Sequence, residues 1–296
     1  FHLDFANSPA LGIDVSGNGN NWTVNGTVTQ TTDSPTDKAA SNIGNYCVWN
    51  RLTPASITSS SGTRDNLLGG CLSKAAVGSG GVFGTISFDS GKFFWEINED
   101  GNVANQFGIF DFAYSGAFLS DAALASTLGT FSYYISGGDS YDQAGTVGFN
   151  GAAGSLGVHA IAVDADNGAL YVGTVSGGTI TWLNSGDPTS GASRTGAIET
   201  WTPSGQRWFP FFTVYSTACT AKTNFGQTAF SASSVPSGYK RLCTANLPAP
   251  TIKNDDLHFN VVTYTGTGAA LSVTGVGFQP DFVWIKSRSA ATDHAV

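Results

Sequence analysis

Apolar and polar residues alternate in short bursts through the middle of the chain, and Gly, Ser, Asn and Asp fill the gaps between them. Val82-Phe83-Gly84-Thr85-Ile86-Ser87-Phe88 and Gln106-Phe107-Gly108-Ile109-Phe110-Asp111-Phe112 alternate with period two, the spacing that turns successive side chains to opposite faces of a strand. Phe93-Phe94-Trp95-Glu96-Ile97 follows a Ser-Gly turn, and Asp164-Ala165-Asp166-Asn167-Gly168 joins two apolar alternating runs, a hairpin signal. Short strands at regular spacing with Gly-rich turns predict an all-β, antiparallel two-sheet β-sandwich over 61–246. One helix is expected at Ser120–Leu128, where Ala and Leu dominate and Gly129 ends the run.

The ends read differently. Residues 1–60 form an extended N-terminal leader in which turn clusters such as Asp14-Val15-Ser16-Gly17-Asn18-Gly19-Asn20-Asn21 separate brief strand-like pieces, Trp22-Thr23-Val24 and Tyr46-Cys47-Val48-Trp49. The leader is expected to wrap an edge of the sandwich rather than fold alone. A Pro-rich linker spans 247–254, with Pro248 and Pro250 stiffening the backbone. Beyond it, 255–296 is expected to begin a second β domain, with strands at Phe259–Tyr264 and Phe282–Lys286. The chain contains no Met, so Phe1 is not a translation start, and both ends read as internal to a longer protein.

Charge narrows the function classes. Only 11% of residues are charged and the formal net charge is −8, with no Lys/Arg cluster. Nucleic-acid binding needs a positive footprint, and docking on an anionic membrane needs the same, so neither partner is expected. No apolar run is long enough to span a bilayer as a helix. The four cysteines, Cys47, Cys71, Cys219 and Cys243, are too far apart in sequence for a metal knuckle. Up to two disulfides are possible, but a chain of this size does not need them, and free thiols are the expectation.

Four constellations bear on chemistry. Sandwich glycosidases of the laminarinase type carry two carboxylates on one strand face in an ExDxxE pattern. The nearest string here is Glu96-Ile97-Asn98-Glu99-Asp100-Gly101, with Asn98 and Gly101 at two of the three positions. Glu96 is therefore read as a hydrogen-bonding group at a sheet surface and Glu99-Asp100-Gly101 as a turn. Asp164-Ala165-Asp166-Asn167-Gly168 begins like a calcium loop, but the twelfth position, which should be Glu, is Val175, so it is read as a hairpin turn. Asp139 and Asp142 give a weak cation signal. His159 lies in an apolar strand without a nucleophile partner and is read as a satisfied core or edge residue. No metal or cofactor is implied. The best binding candidate is the 183–207 loop with Trp182, Asp187, Arg194 and Trp201: exposed aromatics can stack on sugar faces while polar neighbours bond hydroxyls, and burial against a neighbouring subunit is the competing reading.

Three segments in order carry a resemblance: Gly91-Lys92-Phe93-Phe94-Trp95-Glu96-Ile97, the hairpin around Asp164–Gly168, and Trp208-Phe209-Pro210-Phe211-Phe212 closing on Asn224-Phe225-Gly226. Together they resemble the SPRY family, with its GKxYWEV strand, its DxDxG turn and its late FP…NFG strand. This implies a SPRY or concanavalin A-like jelly roll that works by binding and carries over no catalytic residue. The leader, with Gly17-Asn18-Gly19-Asn20-Asn21-Trp22-Thr23 and Asp33-Ser34-Pro35-Thr36, and the string Gly275-Val276-Gly277-Phe278-Gln279-Pro280-Asp281-Phe282-Val283-Trp284-Ile285-Lys286-Ser287-Arg288, resemble structural proteins of tailed bacteriophages. One departure stands out: Lys38-Ala39 replaces the Asn-Phe of that group. The resemblance implies a non-enzymatic virion protein of the tail-fibre, appendage or decoration kind, assembled in a bacterial cytoplasm where thiols stay reduced. It implies as partners other virion subunits, further copies of itself in a homotrimer, and a host-surface glycan or protein.

Overall fold

The computed structural model describes residues 1–5, 7–28, 30, 33–34, 37, 42–50, 71–74, 80–100, 105–111, 130–142, 147–151, 154, 156–214, 219–248 and 257–295. The chain divides into two units, Phe1–Leu247 and Pro248–Val296.

The first unit is a sandwich of two sheets. Among the described residues one sheet has eight strands and the other six. The larger contains β1 (Cys71–Lys74), β3 (Lys92–Asp100), β8 (Gly157–Asp164), β9 (Ala169–Ser176), β10 (Thr179–Trp182), β11 (Glu199–Thr200), β13 (Cys219–Asn224) and β14 (Lys240–Arg241). Its order is β1-β13-β3-β8-β9-β10, with β11 beside β9 and β14 beside β3. The smaller sheet runs β2-β12-β4-β5-β6-β7, from β2 (Gly80–Phe83), β12 (Trp208–Val214), β4 (Asn105–Asp111), β5 (Thr130–Tyr134), β6 (Asp139–Tyr141) and β7 (Val147–Asn150). Every pairing is antiparallel except that of β14 with β3. The expected all-β two-sheet class is borne out. The expected helix at 120–128 and the leader boundary at 60 lie outside the described residues.

Strand parity explains the core. On β3, Phe93, Trp95 and Ile97 face the other sheet and join Phe107, Ile109, Trp208 and Phe212 in one buried cluster. Phe94 faces outward, yet it is fully buried, because the chain around Phe230, Ala232 and Tyr239 packs on that outer face. The continuous apolar run of β3 follows from cover on both sides. Phe230 meets Phe94 edge-on at 4.9 Å, and the Arg241 guanidinium sits 5.4 Å from the Phe230 ring. The predicted hairpin forms as β8–β9, with Asp164 opposite Ala169 and Gly168 at φ 70°, a left-handed conformation suited to Gly.

The leader is stitched to this body at residues 42–50. Cys47 N–H donates to Leu242 O at 3.0 Å and Asn50 N–H to Phe83 O at 2.7 Å. Tyr46, Cys47 and Trp49 are buried, and the Trp49 indole N–H donates to Thr223 Oγ1 at 3.1 Å. These contacts are isolated bridges rather than the strand expected there, and Trp22–Val24 is not in a strand either. Cys47 and Cys243 are buried free thiols, and burial pushes Cys47 up to about 12. The turn cluster at 14–21 closes on Asp14, whose carboxylate accepts N–H groups from His2, Ser16 and Asn20 at 2.8, 2.9 and 3.0 Å.

In the second unit the expected strands at 259–264 and 282–286 form no ladder. Among its described residues the backbone is irregular, with bends and Gly268, Gly275 and Gly277 at positive φ, and the pairing is a single bridge, Ile285 with Ala295. A β segment needs a hydrogen-bonded neighbour to become a strand. Among the described residues no helix is long and apolar enough to cross a membrane.

Candidate functional site

The 183–207 loop lies against the outer face of the eight-stranded sheet. Two short 3-10 turns, Leu183–Ser185 and Pro188–Ser193, shape it. Asp187 caps the second: its Oδ1 accepts Thr189 N–H at 2.9 Å and the Thr189 hydroxyl at 2.6 Å, and these bonds hold its carboxyl below the usual range. Arg194 ends that turn in the left-handed region, φ 49°, and donates from Nη1 to Trp201 O at 3.2 Å. Two tyrosines fasten the loop to the sheet. The Tyr239 hydroxyl donates to Pro188 O at 3.0 Å, and the Tyr171 hydroxyl lies 3.3 Å from Ser190 Oγ.

This geometry corrects the expectation that the four named residues share an exposed surface. Trp201 is 7% exposed and belongs to the core, with its ring centroid 4.9 Å from both Phe131 and Trp208. The sequence cue failed because β11 pairs with β9 and carries the following Trp201 inward. Asp187 and Arg194 hold the loop's own backbone. Trp182 is half-buried at the end of β10 and keeps part of its ring on the surface.

The acidic residues singled out in the sequence are also engaged. Glu96 and Glu99 stand on opposite faces of β3, so they do not converge on one cleft. Glu96, on the outer face, accepts the N–H groups of Ser231 and Ala232 at 2.7 and 2.8 Å and pins the overlying chain. Glu99 is within β3 rather than in a turn. Asp164 pairs with Lys92 at 2.7 Å, and Asp166 accepts Gly91 N–H at 2.7 Å, so the hairpin acids brace the turn. Asp139 accepts from Asn150 Nδ2 at 2.6 Å. Among the described residues no group of three or more His, Cys, Asp or Glu side chains is placed to hold a metal.

Two buried polar sites were not foreseen: one joins Glu199 and Ser140, and the other brings together Glu99 and His159, which the sequence placed in a turn and at a satisfied strand position. Glu199 and Ser140 join the two sheets: Ser140 Oγ lies 2.5 Å from Glu199 Oε1 and accepts Phe149 N–H at 2.6 Å. Burial, aided by the negative charge of Asp142, pushes Glu199 up to about 7. At the other site, Glu99 and His159 both face the space between the sheets. In the β3–β8 register His159 is opposite Ile97 and Glu99 opposite Gly157, which makes them diagonal neighbours on one face. Glu99 Oε2 accepts from Asn105 Nδ2 at 3.0 Å, while its Oε1 and both ring nitrogens of His159 are buried with no hydrogen-bond partner among the described residues. Burial pushes Glu99 up to about 8 and His159 down to about 4, in each case favouring the neutral form. His159 is thus buried but unsatisfied. Parity was the available signal: Trp95, Ile97 and Glu99 share one face.

A family described as a domain of unknown function (DUF7483) matches residues 254–296. A comparison with curated proteins finds no match. Among solved structures, the chain is similar to the SPRY domain of human HERC1, at 14% identity and a TM-score of 0.41, covering 57% of this chain and 94% of that one. It is similar to the TRIM65 PSpry domain at 11% identity and a TM-score of 0.42, covering 61% and 92%. It is also similar to stonustoxin at 12% identity and a TM-score of 0.40, covering 60% and 27%. Likenesses this distant add nothing to what the two sheets themselves establish.

Proposed function

We propose that the chain is a non-enzymatic structural subunit of a bacteriophage virion, of the tail-fibre or appendage kind, working by contact with neighbouring subunits. The supporting observation is where large apolar side chains meet solvent. Phe1, Phe5, Trp22 and others in residues 1–28, and Phe259, Val261, Phe282 and Trp284 in the second unit, are exposed; on the described sandwich surface the large exposed apolar residue is Leu156. Exposed apolar surface on this scale marks interaction sites. The leader and second unit are also the segments whose strings resemble phage structural proteins.

The test is to raise antibodies against the sandwich and label purified phage particles from a strain encoding this chain. The proposal expects regular labelling at one place on the particle and the chain in the particle's peptide spectrum. Absence from purified particles sinks it.

Host-surface recognition is the second reading, motivated by the partly open Trp182 ring beside the 183–207 loop. The buried Trp201 and the engaged Asp187 and Arg194 favour the architectural role. Particles carrying Trp182→Ala separate the two: normal adsorption to host cells supports architecture, and lost adsorption with intact particles supports recognition.

A further inference from the structure

Strand β10 is the end of the eight-stranded path, joined to β9 by the two-residue turn Gly177-Gly178, both at positive φ, 55° and 81°. Such a turn closes on a hydrogen-bonded pair, here Ser176 with Thr179, and the next bonded pair along the ladder is Thr174 with Thr181. The N–H and C=O groups of Ile180 and Trp182 therefore point off the sheet, and among the described residues none of them has a hydrogen-bond partner. Natural edge strands are blunted by charge, proline, a bulge or cover. From Asn167 to Gly186 the chain has no charged residue, no His and no Pro, and the β9–β10 ladder runs without a register shift.

We infer that β10 is a docking edge for a second copy of this chain, the two strands pairing antiparallel about a two-fold axis at Thr181. The edge is self-complementary. Its outward-bonding residues stand on either side of Thr181, so Ile180 of one copy falls opposite Trp182 of the other, and each pair exchanges both backbone bonds. The two Thr181 residues then form the close, non-bonded pair between them. Ile180 and Trp182 share the outer face, half-buried over Gly173, where an added Cβ would meet Ile180 Cγ2 at 2.7 Å and the Trp182 ring at 3.0 Å. Pairing lays Ile180 of each copy against Trp182 of the other and removes both from water. Two copies with a net charge of −8 repel in general, and an uncharged stretch is where they approach at least cost. An unrelated extended peptide could use the same backbone groups; what a second copy adds is the match of Ile180 to Trp182 on both sides of the axis, on a stretch free of charge.

The contact does not rest on the particle reading. It gives an even-numbered assembly, whereas the fibre class implies three copies. The test is sedimentation equilibrium of the full chain and of Thr181→Lys and Thr181→Glu. Thr181 is exposed, so both variants should melt like the parent. The parent should dimerise reversibly. Each variant alone puts like charges face to face and should weaken the dimer by up to about fivefold, and mixing the two should restore it. Recovery on mixing also excludes misfolding of the single variants. A parent that stays monomeric at about 100 µM overturns the inference. So does association, dimeric or trimeric, that neither charge disturbs, since it must then use another surface. Failure to recover on mixing also counts against pairing at Thr181.

Discussion

Trp208 and Trp284 carry the same side chain in opposite surroundings. Trp208 is 1% exposed, packed between Phe131 and Trp201, while Trp284 is 65% exposed with the His294 ring beside it. Both lie in runs that read as strands: Trp208-Phe209-Pro210-Phe211-Phe212 and Phe282-Val283-Trp284-Ile285. What separates them is what stands across from the run. The first pairs with β2 and β4 and faces a second sheet. The second has the single bridge of Ile285 with Ala295. Apolar pattern announces a surface that must be covered, and it does not say by what. In the sandwich the cover is internal, whereas in the flanking segments the large apolar side chains are exposed, and the proposed subunit contacts would cover them.

The largest expected effect tests that contrast. Trp208→Ala should cost about 3–5 kcal/mol of unfolding free energy, because it removes a fully buried ring and leaves a cavity. Trp284→Ala should stay within about 0.5 kcal/mol in the free chain, as exposed substitutions do. Urea unfolding followed by circular dichroism reads both, and equal losses would break the comparison.

Next comes the cover on the sandwich's outer face. Glu96→Ala removes the acceptor of the Ser231 and the buried Ala232 N–H groups and should cost about 1–3 kcal/mol, whereas Glu96→Gln keeps one acceptor and should cost less. If the two variants melt alike, Glu96 does not pin the overlying chain.

The buried titratable pair makes the body sensitive to pH in two directions. Glu99 has a folded value near 8, above its ordinary value of 4.5. Its contribution is full below the ordinary value and is lost as pH rises through the folded one. His159 has a folded value near 4, below its ordinary 6.5, so its contribution is full above the ordinary value and is lost as pH falls. Melting temperatures of Glu99→Gln should therefore gain on the parent as pH rises from 5 to 8, and those of His159→Gln should gain as pH falls from 6.5 to 4. Parallel profiles would show that neither group is buried as described.

The smallest effect concerns the clasp between the sheets. Ser140→Ala removes the hydroxyl that meets Glu199 and should cost about 0.5–1.5 kcal/mol in the same urea experiment. No loss would mean the sheets are held by apolar packing alone.

The sheets were legible because period-two alternation is local. Phe107 and Ile109, set between Gln106 and Gly108, state their face without reference to the rest of the chain. The hairpin at Asp164–Gly168 was legible because its turn chemistry is local too. The fate of the 183–207 loop was not. Trp201 looks like a loop aromatic in sequence, and only the pairing of Glu199 with Leu170 sends it inward. Asp187 and Arg194 looked available because they bond locally, Asp187 to the N–H and hydroxyl of Thr189 and Arg194 to the Trp201 carbonyl, and neither contact has a distinctive sequence signature. The Glu199–Ser140 contact joins residues of different sheets, and no spacing along the chain encodes it.

If the proposed contacts exist, the core of the sandwich needs no cover from outside, while the exposed apolar residues of 1–28 and 257–295 are covered on assembly. Amide hydrogen exchange, compared between the free chain and the chain in its assembled particle, tests it directly. Exchange across 257–295 and 1–28 should slow on assembly while β3, β8 and β9 keep the rates they had alone. Unchanged exchange in the flanking segments, or protection gained mainly by those three strands, would contradict it.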